Sequence, residues 1–214
     1  AVWTDHIISS KMIRDILMYM DRAYVVQHKK IGVYSMSLQI FREVIVFNEN
    51  VRDRMRSIIL SNIYEERCGQ VIDRSMLRSI LAMLVDLNVD GVNVYEEDFE
   101  QHFIESTRNF YRDESQNFLQ QNACIEFLEK AQLRLNEEAS RVSNYLSSSS
   151  ESKLKHTVES EFITKHAKTL VEMERSGCEY MMNENKQNDL ALMYTLFSRV
   201  PSTLDHMRDF LFEQ

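Results

Sequence analysis

The sequence is poor in the residues that turn a chain. It holds 4 glycines and 1 proline in 214 residues, about 2% together where roughly 12% is usual. Sandwiches and barrels need turn residues every ~8–12 positions, so an all-β architecture is excluded. The glycines at 32, 69, 91 and 177 are isolated from one another. That excludes a P-loop, a G-x-G-x-x-G dinucleotide loop and a G-x-S-x-G nucleophile elbow. Cysteine is scarce and odd in number: Cys68, Cys124 and Cys178 lie more than fifty residues apart, with no C-x-x-C. This spacing fits neither a disulfide framework nor a zinc cluster. It predicts reduced thiols that serve as small core hydrophobes, and a cytoplasmic or nuclear setting. There is no basic tract. Lys and Arg number 25 against 33 Asp and Glu, a net charge of −8, which speaks against nucleic acid or an anionic membrane as partner. The longest wholly apolar run, residues 80–85, is far too short to span a bilayer. No secretory signal is visible, and the opening Ala1-Val2-Trp3-Thr4 without an initiator Met predicts a fragment of something longer.

What is present is helical periodicity. Hydrophobic residues make up 44% and charged ones 27% of the chain, the balance of a folded protein. Apolar residues recur at i, i+3, i+4 and i+7 almost throughout. The pattern predicts helices over about 4–28, 33–47, 51–67, 73–87, 93–121, 123–146, 152–176, 189–199 and from 202 onward. Asn50, Asn93 with Glu96, Asn122, and Ser202 with Asp205 read as helix starts. Gly32, Gly69, Gly91 and Gly177 read as stops, and Pro201 as a break. Leu128, Ala131, Leu135, Val142 and Leu146 form one stripe, and Ser147 to Ser150 a loop. The fold class is all-α, with short connections that make neighbouring helices antiparallel.

Candidate chemistry is thin. None of the six histidines has a carboxylate three residues before it, which excludes the paired Glu-x-x-His of a di-iron bundle. Asp98 and His102, four apart, could share a proton or a metal; a surface ion pair is the favoured reading, and His156 with Glu159 is read the same way. The run Glu96-Glu97-Asp98 complements a helix dipole without any catalytic role. No catalytic, metal or cofactor site is predicted, and the 12 methionines are read as core filler.

The first helix is different. Ile13, Ile16, Leu17, Met20 and Tyr24 form an apolar face expected to pack the helix into its bundle. At 100° per residue the opposite face holds Asp15, Met18, Tyr19 and Arg22. Tyr, Met and Arg are types enriched where proteins bind each other. A neighbouring helix of the same domain could equally cover this face.

Three strings of residues resemble the cullin family. They are Met12-Ile13-Arg14-Asp15-Ile16-Leu17-Met18-Tyr19-Met20-Asp21-Arg22, Val94-Tyr95-Glu96-Glu97-Asp98-Phe99-Glu100 with Phe110-Tyr111 and Glu114-Ser115, and Leu196-Phe197-Ser198-Arg199-Val200-Pro201 with Leu204 and Met207. Their order and spacing agree over essentially the whole chain, and the first string is most similar to the branch that takes BTB-domain adaptors. The resemblance implies cullin repeats, five-helix bundles stacked into an elongated stalk. Residues 1–50 would end the first repeat, 51–177 form a complete second, and 178–214 begin a third. It implies a non-catalytic scaffold of a ubiquitin ligase that holds a BTB-domain substrate adaptor, with Tyr19 and Arg22 at the family's adaptor-contacting positions. Asp15 and Met18 join them only through the helical wheel. The family's RING protein and ubiquitin-like modifier belong to a C-terminal region that nothing in this chain matches, and an earlier helix that completes the adaptor surface is also missing. Two other classes remain open: an enzyme using Glu97, Asp98 and His102, and a helical tethering subunit of another complex.

Overall fold

A computed structural model describes residues 2–212, with side chains through 210. Among the described residues every regular element is helical and no strand occurs. The chain divides into two compact units, Ala1–Gln101 and His102–Gln214. The final residues 213 and 214 of the expected third repeat lie outside the described residues.

In the first unit, α1 (Val2–Ile16) continues through a bend at Leu17 into α2 (Met18–Met20) and a π-helical turn, Asp21–Val25. Lys29, in the left-handed region at φ 47°, then reverses the chain. Next come α3 (Val33–Phe41) with a π turn at Arg42–Val46, α4 (Glu49–Arg67) and α5 (Arg74–Asp86). α1 packs on α3, where Trp3 and His6 meet Phe41 with ring centroids 5.1 and 4.6 Å apart. The core of this unit is Ile59, Ile63, Leu77, Leu81, Leu84, Leu87, Val94, Tyr95 and Phe99. α4 ends where expected because Gly69, at φ 87°, adopts the left-handed conformation that an L side chain resists. Asp73 caps α5, accepting from the Met76 N–H at 3.0 Å; that bond, with the Ser75 hydroxyl, holds its carboxyl below the usual range. The start of α4 differs from expectation. Asn48, not Asn50, sits at the cap position, and its side chain makes no capping bond.

The helix beginning near Val94 passes through a third π turn, Glu96–Glu100, into α6 (Gln101–Gln121), and the boundary between the units falls inside it. Asn93 opens it, its Oδ1 accepting from the Glu96 N–H at 3.2 Å.

The second unit comprises α6, α7 (Cys124–Asn144), a 3₁₀ turn at Ser148–Ser150, α8 (Glu151–Glu159) with a π turn at Ser160–Thr164, α9 (Ala167–Glu172), α10 (Cys178–Asn183), α11 (Gln187–Phe197) and α12 (Pro201–Phe212). Its core is aromatic. Tyr111 and Phe127 each stand 5.6 Å from Phe162, in tilted geometries worth about 0.5–1.5 kcal/mol per pair beyond burial.

Several helix boundaries are corrected here. The helix expected over 152–176 is two, broken at Lys165 and His166. Asn122 does not open α7; its amide donates to the Phe118 carbonyl at 2.9 Å and so closes α6. Ala123 occupies the cap position, and the Glu126 carboxylate accepts its N–H at 3.1 Å. α10 was not expected at all. The last helix starts at Pro201 itself, whose missing N–H costs nothing at a first helical position.

Candidate partner-binding surface

The four residues on the polar face of the first helix lie across the bend. Asp15 belongs to α1, Met18 and Tyr19 to α2, and Arg22 to the π turn. The bend is local: Leu17 has φ −92° and ψ 16°, yet the i→i−4 bonds Leu17 N to Ile13 O and Asp21 N to Leu17 O persist at 2.9 and 3.0 Å. All four side chains are exposed, Tyr19 to 86%. Asp15 is engaged by its neighbour, the Arg14 guanidinium donating to Oδ1 at 2.8 Å. Tyr19 and Arg22 make no side-chain hydrogen bond or ion pair among the described residues. A rigid ring with a phenolic hydroxyl and a planar donor fork therefore stand free side by side, suited to backbone carbonyls or a carboxylate on a partner.

The opposite face departs from expectation. Ile13, Ile16, Leu17, Met20 and Tyr24 are exposed by 50, 81, 38, 41 and 52%. They do not pack the helix into a bundle here: α1 meets α3 through Trp3 and His6 on Phe41 and through Arg14 over the Tyr34 ring, and this stripe is left uncovered. Exposed apolar side chains also occur on α3 and its π turn, at Met36, Ile40, Val44 and Ile45. Among the described residues of the second unit, only Leu133, Met182 and Tyr194 are large apolar side chains left exposed. Apolar side chains left uncovered in such numbers mark an interface.

The turn that follows the polar face is anchored by a residue the sequence reading passed over. Asp21 reaches across the reversal, its Oδ1 accepting the N–H of Val33, the first residue of α3, at 2.9 Å.

The other candidate sites are occupied by structural pairings. Asp98 is buried and is ion-paired to Arg52, whose Nε donates at 2.7 Å. Arg56 donates to the Asp98 carbonyl at 2.9 Å. Asp98 thus fastens α4 to the π turn, while Glu97 and His102 are exposed; the expected surface pair of Asp98 with His102 is replaced by this buried one. Glu159 likewise leaves exposed His156 aside and accepts from Arg199 at 2.8 Å from its buried position. α7 carries a buried polar network that periodicity did not flag. Arg134 binds Glu114 and Glu137. Burial works to lower its pKa, but the bonds to those two carboxylates outweigh it and the guanidinium is held above its ordinary value. Glu138 accepts from Tyr111 and from Arg141. Cys124 and Cys178 are buried free thiols and Cys68 is an exposed one. Burial, with Cys178 and Asp189 nearby, pushes Cys124 up to about 12. At that value it is no nucleophile.

Among the described residues no cluster of His, Cys, Asp and Glu could hold a metal ion, and no helix is long and apolar enough to cross a membrane.

The whole sequence, residues 1–214, matches the Cullin alpha solenoid domain. Cullin-3 of Dictyostelium discoideum is 44% identical over 207 residues, 97% of this chain and 27% of the relative. Cullin-3B of Arabidopsis thaliana is 42% identical over 97% of this chain and 28% of its own length, and Cullin-4A of Mus musculus 38% identical over 92% and 25%. The chain thus spans about a quarter of the length of the curated relatives it matches.

Proposed function

This chain belongs to the cullin family, and from that premise we propose that it forms the adaptor-holding part of a ubiquitin-ligase scaffold. It acts by binding, not by catalysis. The observation that carries the reading is the exposed, unpartnered pair Tyr19 and Arg22, in a helix whose sequence follows the family pattern. Its partner is a BTB-domain substrate adaptor. A stalk of packed helices holds the bound substrate at a fixed distance from the catalytic end, which needs the stiffness of continuous repeat packing. Residues 1–50, 51–177 and 178–214 are assigned to the end of one repeat, a complete second and the start of a third. The uncovered stripe Ile13, Ile16, Leu17, Met20 and Tyr24 is then the face on which upstream helices of the first repeat pack. The RING protein and the ubiquitin-like modifier engage other parts of the full-length scaffold. Three free thiols agree with a cytoplasmic and nuclear location.

The test is a titration of BTB domains with the chain extended to include the upstream helix. Tyr19→Ala should cost about 2 kcal/mol of binding, as an interface anchor does, and less than about 1 kcal/mol of folding stability. Unchanged affinity removes Tyr19 from the site. Failure of the wild type to bind any BTB domain, with capture by the components of another assembly, favours a tethering subunit.

A further inference from the structure

We infer that Asp21 is a positioning residue for the adaptor surface, holding Tyr19 and Arg22 at a fixed angle to α3 by capping that helix from outside it. The inference rests on the adaptor-binding reading and adds to it a residue that touches no partner.

α3 begins without a cap of its own. Its cap position is Gly32, which has no side chain to offer, and Val33 and its successors would leave their first N–H groups unpaired. Asp21 supplies the missing acceptor from twelve residues upstream, bonding the Val33 N–H at 2.9 Å. A carboxylate at that point also meets the positive end of the α3 dipole. The approach is close: a Cβ built on Gly32 would lie 3.5 Å from Asp21 Oδ1. The geometry that brings it there is specific. Lys29 turns at φ 47°, with Lys29 N bonded to Val26 O and Lys30 N to Val25 O, so the end of the first helix folds back onto the start of α3.

Asp21 is two residues after Tyr19 and one before Arg22, at the first position of the π turn. The helix is bent at Leu17 and wound more loosely from Asp21 to Val25. Neither Tyr19 nor Arg22 has a side-chain bond of its own among the described residues to fix its direction. The Asp21 link is the side-chain hydrogen bond that ties this stretch to α3, beside the Arg14 guanidinium of α1 over the Tyr34 ring. Asp21 itself is half-buried and its Oδ1 is engaged inward, which suits a brace and not a contact.

The experiment uses the extended chain titrated with a BTB domain. Five variants are compared with wild type: Asp21→Ala, Asp21→Asn, Val33→Pro, Tyr19→Ala, and the double variant Tyr19→Ala with Asp21→Ala. Asp21→Ala should weaken binding on the order of fivefold, the scale of a lost cap. Asp21→Asn, whose Oδ1 accepts the same N–H, should stay within about twofold of wild type. The double variant should lose less than the two single losses combined, because the brace then aims only Arg22. Val33→Pro breaks the same link from the other side, removing the donor at a position where proline is tolerated. It should reproduce the Asp21→Ala loss even if Asp21→Ala folds poorly. Wild-type affinity in both Asp21→Ala and Val33→Pro overturns the inference. So does a full additional loss in the double variant, which would make Asp21 a direct contact. Both results leave the adaptor reading intact, whereas a wild type that binds no BTB domain overturns the adaptor reading and the positioning role with it.

Discussion

Tyr111 on α6 donates its phenolic hydrogen to the Glu138 carboxylate on α7, and both side chains are buried. The same Oε1 accepts from Arg141 at 2.8 Å, so a charge sealed in the second unit meets both a neutral and a cationic donor. A buried carboxylate is tolerated only with such partners. Removing the hydroxyl alone leaves Arg141 in place. Tyr111→Phe should therefore cost about 1–2 kcal/mol. Glu138→Ala should cost more, roughly 3–5 kcal/mol, because it takes a bonded carboxylate away from a buried guanidinium. Urea unfolding of the two variants decides the order, and equal losses would mean that Tyr111 contributes as much as the charge.

Three glycines should respond to alanine in three different ways. A Cβ at Gly177 would lie 2.6 Å from the carbonyl oxygens of both Val171 and Met173. Backbone cannot swing aside as a side chain can, so Gly177→Ala should cost about 2–3 kcal/mol. Gly69 has open space around it but φ 87°, and Gly69→Ala should cost about 1 kcal/mol through backbone strain alone. Gly32 has ordinary φ and its nearest neighbour at 3.5 Å, so Gly32→Ala should fall within about 0.5 kcal/mol of wild type. Thermal or urea unfolding gives the ranking, and a tolerated Gly177→Ala would show that the turn at 173–177 relaxes.

Glycine also marks how far the sequence could be read. Gly69 and Gly91 announce helix ends because only a residue without Cβ turns left-handed cheaply, and both sit at positive φ. Asn93 announces a start because its oxygen reaches a nearby N–H, whereas Asn50 and Asn122 carry the same side chain without capping the helices that follow them. The break at Lys165 and His166 has no such marker, since tertiary packing of His166 on Phe127 and Ser115 sets it. The π turns were equally silent, as each is a single five-residue turn, too short to set up a period of its own. At the candidate site the wheel grouped Tyr19 with Arg22 from spacing alone. It could not foresee Asp21, whose partner Val33 is twelve residues away, nor say what covers the apolar face.

His166 gives the second unit a pH dependence with a definite sign. Its Nε2 lies 3.1 Å from Ser115 Oγ on α6, and its ring stands edge-on to Phe127. Burial lowers its pKa from the ordinary 6.5, with Lys165 adding to the shift and Glu161 opposing it. The unfolded chain therefore binds the proton more readily than the folded one. Stability from this residue is full above the unfolded value and declines as the pH falls below about 6.5 toward the lowered folded value. Urea midpoints measured from pH 7.5 down to about 5 should fall more steeply for wild type than for His166→Gln, which cannot charge. Parallel curves would remove His166 from the acid response.

The uncovered stripe of the first helix separates a surface from an unfinished core. Ile16 is 81% exposed and Ile13 50%. In the 214-residue chain, replacing both by Lys should change stability by no more than about 0.5 kcal/mol and should reduce self-association by breaking an apolar patch. In a chain extended by the upstream helices the same two positions are proposed to be buried. There the charges would have to enter an apolar interior unpaired, and the pair of substitutions should cost more than about 3 kcal/mol. Urea unfolding of both lengths, each with and without the two lysines, provides the comparison. A large loss confined to the longer chain makes the stripe a bundle face. Equal small effects in both would mean that the stripe stays exposed when the upstream helices are present, so that both faces of this helix, and not only the one bearing Tyr19 and Arg22, would be open to a partner.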